Sequence, residues 1–254
     1  MRKATTNERM PANNTAAQFV KKLKTYRSAE EIKKIQRYFK SGEGEYGEGD
    51  EFIGVRMGQL FALAKEFIEM PLSEIEKLLE SPIHEARAGG LSIMGKQARS
   101  RKTSDERRKE LFELYIRRHD RVNNWDLVDL GALYVVGIYL VDKPRDVLYK
   151  LARSKNIWER RTAIVSMGPL IKQGDVDDTF KIAEMLLQDK EDLIHKATGW
   201  MLRTAGDTDR KQLLKFLDKH AATMPRTLLR YSLEHLDKNQ REHYLGLKKA
   251  IKIQ

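Results

Sequence analysis

The sequence predicts an all-α fold, an α-solenoid of helical repeats with a basic concave face. Apolar residues recur at i, i+3 and i+4 almost throughout the chain, which is the helical period. Glycine and proline are sparse, 16 and 6 of 254 residues. No run of alternating apolar and polar residues reads as a strand.

The elements follow in order. Residues 1–13 lack the apolar stretch of a signal peptide and read as a mobile leader; residues 14–254 are expected to form one repeat domain. Helix starts are marked by Ser/Thr followed three residues later by Glu: Ser28 and Glu31, Ser73 and Glu76, Thr103 and Glu106. Pro71, Pro82, Pro144 and Pro225 sit at breaks between periodic segments, where a helix ends or begins. About a dozen helices with short connections result. The segment 41–50, SGEGEYGEGD, differs. Its acidic side chains would repel phosphate, so its glycines are expected to serve a turn or a close chain approach; the role of Tyr46 in it stays open.

The chain is 41% hydrophobic, enough for a sizeable core. Its net charge of +11 calls for a polyanionic partner, namely nucleic acid, an acidic membrane surface or an acidic protein. The absence of cysteine removes disulfides, thiolate nucleophiles and cysteine-type zinc sites. No apolar run reaches the ~18–20 residues that span a bilayer. A cytoplasmic location is expected, with the nucleoid its place in a bacterium, and no membrane partner.

An internal repeat is visible. His84-Glu-Ala-Arg-Ala aligns with Trp158-Glu-Arg-Arg-Thr, and Ile194 in a third copy aligns with Trp158. The spacing corresponds to a unit of roughly 36–37 residues with two helices, as in HEAT-like repeats. The basic residues cluster between 87 and 121, again at Arg153, Lys155, Arg160 and Arg161, and at Lys196 and Arg203 flanking Trp200. Arg87 and Arg161 share one repeat position and are expected to point the same way, into a row that suits a duplex backbone.

The densest functional candidate is Asn123-Asn124-Trp125-Asp126-Leu127-Val128-Asp129. Asn123 or Asn124 would cap a helix on which Trp125 and Asp129, four apart, share a face. A carboxylate in the first turn is held ionised by the helix dipole, and an aromatic face beside a fixed anion receives a cation. Spacing alone is better served by a half-buried core tryptophan and helix-start charges. No pair of histidines at ligand spacing has a nearby carboxylate, so neither a metal nor a cofactor is implied. His84 and His195 read as packing or backbone contacts.

The segments NNWDLVDLGA, NIWERRTAI and HKATGWMLR, in this order and separation, closely resemble the AlkD family of DNA alkylation-repair glycosylases, HEAT-like repeat proteins that excise alkylated purines. The similarity runs from FIGVR (52–56) to the C-terminal helices. It implies that Trp125 contacts the lesion nucleotide, that Asp129 is the catalytic aspartate, and that Trp200 is a second lesion-side tryptophan. It implies further that Arg161 holds the DNA backbone and that Arg203 lies where the family is basic; Lys196 and Arg87 join them as expected DNA contacts. Trp158 is expected in the core. The chain departs from the family at Asn124, often an aromatic, and at Met57-Gly58, where the family has a proline.

The resemblance implies hydrolysis of the N-glycosidic bond of cationic N3- or N7-alkylated purines in duplex DNA by a monomer. Such a base is already a good leaving group, so one carboxylate suffices to stabilise the sugar cation. It also implies recognition without deep base flipping. Two other classes stay open at this stage: a non-catalytic HEAT-like protein binding distorted or branched DNA, and a scaffold for an acidic protein.

Overall fold

The structure, a computed structural model, describes residues 14–39, 42–45 and 47–250, without the side chains of 36–38 and 248–250. The expected leader and Tyr46 lie outside the described residues. Among these the fold is all-α; the extended pairing present is a single isolated bridge between Glu51 and Ile83. The chain divides into two compact units, residues 1–93 and 94–254.

The first unit holds α1 (Ala16–Lys24), α2 (Ala29–Phe39), α3 (Met57–Glu66) and α4 (Leu72–Leu79), and α5 (His84–Arg99) begins in it. The second holds α6 (Asp105–Arg117), a 3-10 turn (His119–Arg121) and α7 (Trp125–Gly131). A π-helical turn (Ala132–Gly137) carries α7 into α8 (Ile138–Leu140). Then follow α9 (Asp146–Ala152), α10 (Ile157–Val165), α11 (Gly168–Ile171), α12 (Asp177–Met185), α13 (Asp192–Thr208), α14 (Arg210–His220), α15 (Arg226–Ser232) and α16 (Lys238–Ala250). The prolines mark starts as expected: Pro71 and Pro225 are the caps of α4 and α15, and Pro82 and Pro144 stand two residues before α5 and α9.

The caps are only partly where the sequence pattern puts them. Ser28 Oγ accepts from Glu31 N at 3.3 Å. Ser73, by contrast, is inside α4. The cap of α6 is Ser104, whose side chain accepts from Arg107 N, while the Thr103 hydroxyl donates to Gln97 O at 2.6 Å. The full capping box of α1, Thr15 with Gln18, uses glutamine, and a search for glutamate passes over it.

In the first unit α1 packs on α3 and α4, with Phe19 meeting Phe67 edge-on at 5.3 Å. The described residues of the glycine-rich segment, 42–45 and 47–50, are turns: Gly44 and Gly49 have φ of 75° and 82°, a region open to glycine. Its own acids close it, Glu45 accepting from Gly42 N at 2.8 Å and Glu48 from Gly44 N at 2.9 Å. The segment that follows is stitched to the start of α5. His84 N donates to Glu51 O at 2.8 Å, and the Glu85 carboxylate accepts from the backbone N–H groups of Ile53, Gly54 and Val55. Glu85 is 2% exposed, so these three donors have little access to water. Glu85→Ala should therefore destabilise the protein by about 2–4 kcal/mol, the cost of buried backbone donors left unpaired. Glu85→Gln, which keeps one acceptor oxygen, should cost less; urea unfolding of both variants checks this.

Candidate active site

The second unit is organised around α10, which packs against α7, α9 and α13. Asn156 caps α10, its side chain accepting from Trp158 N at 2.8 Å. The C-terminal turn of α10 is enclosed on all sides, with Ala163, Ile164 and Val165 inaccessible. Trp158 is 8% exposed and belongs to the core, as expected. The two consecutive arginines of α10 each take a carboxylate. Arg160 pairs with Asp189 and also donates to Ser154 O and Lys155 O.

Arg161 grips Asp129 bidentately. Its Nε donates to Oδ1 and its Nη2 to Oδ2, both at 2.9 Å, the parallel geometry that makes arginine–carboxylate pairs strong. Its third donor, Nη1, reaches Leu193 O at 2.8 Å. One guanidinium thus joins α7, α10 and α13. The Arg161 side chain is 7% exposed and that of Asp129 22%, so the Asp129 side chain is not fully sealed from solvent.

Asn124 is the cap of α7, its Oδ1 accepting from Trp125 N at 2.8 Å, and it is fully buried. This departure from the family pattern is thus absorbed as a helix cap. Trp125 opens the helix and is half-buried. Asp126 lies in the first turn, its Oδ1 accepting from Leu127 N. Asp129 lies beyond that turn, so Arg161 and not the helix terminus holds its charge. Burial pushes the Asp129 carboxyl above its ordinary value of 3.8, and the Arg161 charge and hydrogen bonds oppose that rise.

Trp200, half-buried on α13, is seven residues beyond Leu193, nearly two full turns, and so shares its helix face. Lys196, on the same helix, is half-buried and pairs with Asp192 at 2.8 Å. Arg203 pairs with Glu234.

The expected basic row is largely spent inside the protein. Arg87 is 2% exposed; it pairs with Asp50 and donates to Ser81 O and Pro82 O. The Asp50 carboxylate, 2% exposed, also takes His84 Nδ1 at 2.9 Å. A residue so enclosed cannot meet a phosphate, and the position that Arg87 and Arg161 share is one of buried clamps. Arg107 and Arg108 close the end of α5, donating to Gln97 Oε1 and to Ala98 O and Ser100 O. His195 Nε2 donates to a backbone carbonyl, Asp189 O, at 2.6 Å, a backbone contact as expected.

A model of the family described as "DNA alkylation repair enzyme" matches residues 19–236. The chain belongs to that family. The solved structure of a predicted DNA alkylation repair enzyme from Enterococcus faecalis is similar to it, with a TM-score of 0.63 and 17% identity over 84% of this chain and 97% of that one; at that identity the likeness speaks for the fold. No curated protein sequence matches. Membership in the DNA alkylation repair family agrees with the excess of positive charge. No described helix is long and apolar enough to cross a membrane.

In this family member the fork is open to a direct test. Arg161→Ala should cost about 3 kcal/mol, because a half-enclosed carboxylate loses its partner. Burial and the neighbouring Asp126 charge then act on Asp129 unopposed, so its titration midpoint, read by carboxyl 13C NMR, should rise above that of the parent. A raised native midpoint makes the stability loss largest above that midpoint, and it should shrink as pH falls toward 3.8.

Proposed function

We propose that this member of the DNA alkylation repair family is a monofunctional DNA glycosylase that hydrolyses the N-glycosidic bond of N3- and N7-alkylated purines in duplex DNA. One observation supports it above others: Asp129 is locked in orientation by the Arg161 fork while its side chain keeps some exposure to solvent.

Alkylation at N3 or N7 gives the base a formal positive charge. When the C1′–N bond breaks, its electron pair goes to the base and neutralises it, so no acid need protonate the leaving group. The sugar is left as an oxocarbenium-like cation. The Asp129 carboxylate stabilises that charge and orients the attacking water. Water adds at C1′ and releases a proton, leaving an abasic site. Trp125 and Trp200, both half-buried, offer indole faces for CH–π and cation–π contact with the lesion nucleotide, worth ~0.5–2 kcal/mol each. Arg161, engaged by Asp129 and Leu193, serves this reading by holding the carboxylate; Lys196 and Arg203 are the phosphate contacts.

Asp129→Asn should abolish release of N7-methylguanine and N3-methyladenine from methylated duplex DNA while leaving DNA affinity nearly unchanged. A parent protein that releases neither base refutes the glycosylase and leaves a DNA-binding member of the family. Because the reactive form is the carboxylate, excision should fall as pH drops through a midpoint above 3.8. Lys196→Ala should flatten the dependence of log K on log salt by about one unit, whereas Arg161→Ala should slow excision without changing that slope.

A further inference from the structure

The Asp129–Arg161 fork spans two helices, and its geometry is only as fixed as the distance between them. One side chain touches both. Tyr115, on α6, is fully buried. Its ring lies against Gly131, two residues from Asp129 on α7, so closely that a Cβ at Gly131 would collide with Tyr115 Cε2 and Cδ2. Its hydroxyl is 2.8 Å from Thr162 Oγ1, and Thr162 is the neighbour of Arg161 on α10. Thr162 is itself inaccessible and is held a second time by His119 Nε2 at 2.9 Å. His119 comes from the 3-10 turn that leads into α7.

We propose that Tyr115 is a positioning residue for the Asp129–Arg161 pair, setting the separation of α7 and α10 through its ring on Gly131 and its hydroxyl on Thr162; this rests on the glycosylase reading above. Three features support a specific role beyond ordinary core packing. A glycine at 131 lets the ring approach the α7 backbone with no side chain between. The hydroxyl is placed on a residue adjacent to the arginine of the fork. The burial that keeps the phenol well above its usual range keeps it a hydrogen-bonding hydroxyl at every working pH. The His119 Nδ1 has no hydrogen-bond partner, so the His119–Thr162 contact is that ring's polar anchor, and Tyr115 and His119 together fix one rotamer of Thr162.

The test is Tyr115→Phe, which keeps the ring on Gly131 and removes only the hydroxyl. With the link gone the fork loosens, and Arg161 counteracts less of the burial effect on Asp129. Single-turnover release of N7-methylguanine should slow on the order of tenfold, the scale expected of a small misplacement, with unchanged affinity for DNA. The acidic limb of the rate profile should move to higher pH, and the Asp129 carboxyl midpoint in 13C NMR should rise with it. Thr162→Val should reproduce both shifts, and Thr162→Ser, which keeps a hydroxyl, should restore the parent values. A lowered melting temperature with an unmoved Asp129 midpoint would make Tyr115 a packing residue and overturn the proposal. The NMR midpoint needs no turnover. A parent without excision would therefore refute the glycosylase reading while the midpoint of Tyr115→Phe still decides whether Tyr115 positions the pair.

Discussion

A guanidinium with three separate acceptors fixes more backbone than any apolar contact of similar size, because each hydrogen bond carries a direction. Arg161 does this for the second unit: two bonds set the rotation of α7 through Asp129, and a third ties α13 through Leu193 O. The desolvation of such a charge is costly unless every donor is answered. The surroundings of Arg161 are therefore constrained well beyond their own packing: α10 must present it at one height, α7 must bring a carboxylate to it, and the start of α13 must expose a carbonyl. The two half-buried tryptophans ride on helices held in this way.

The same device stands in the first unit, where Arg87 takes Asp50 and the carbonyls of Ser81 and Pro82. The two arginines occupy one position of the internal repeat, but the third copy has Ala197 there, 1% exposed. Of the three copies aligned, two thus carry the clamp. The copies differ in closure: the carboxylate is 2% exposed at Asp50 and 22% at Asp129.

Much of this was legible in the sequence, and the exceptions have physical reasons. Helical periodicity and the prolines gave the all-α class and the starts of α4, α5, α9 and α15, because both act locally on the backbone. The motif around Trp125 and Asp129 was found through its spacing and its resemblance to a family. The direction of Arg87 was misjudged because a repeat position fixes where a side chain starts, not what it finds. Its partner, Asp50, comes from a glycine-rich turn outside the repeat register. The capping of α6 moved by one residue for a similar reason: Thr103 and Ser104 are both competent, and the carbonyl of Gln97, set by the fold, claimed the first. Tyr115 carried no signal at all, since an aromatic at a helical core position looks the same whether or not its hydroxyl has a task.

The partial closure of the Asp129 clamp has an electrostatic consequence. A carboxylate gripped on one flank by a guanidinium is, from afar, a dipole. Its potential falls with the square of distance, against the first power for a bare charge, and ionic screening weakens it further beyond roughly 10 Å. Such a group neither pushes away an approaching polyanion nor gathers loose metal cations. Only at close contact is it an anion. Neutral at long range and negative at short range, it can sit in a basic protein without spoiling that protein's attraction for DNA.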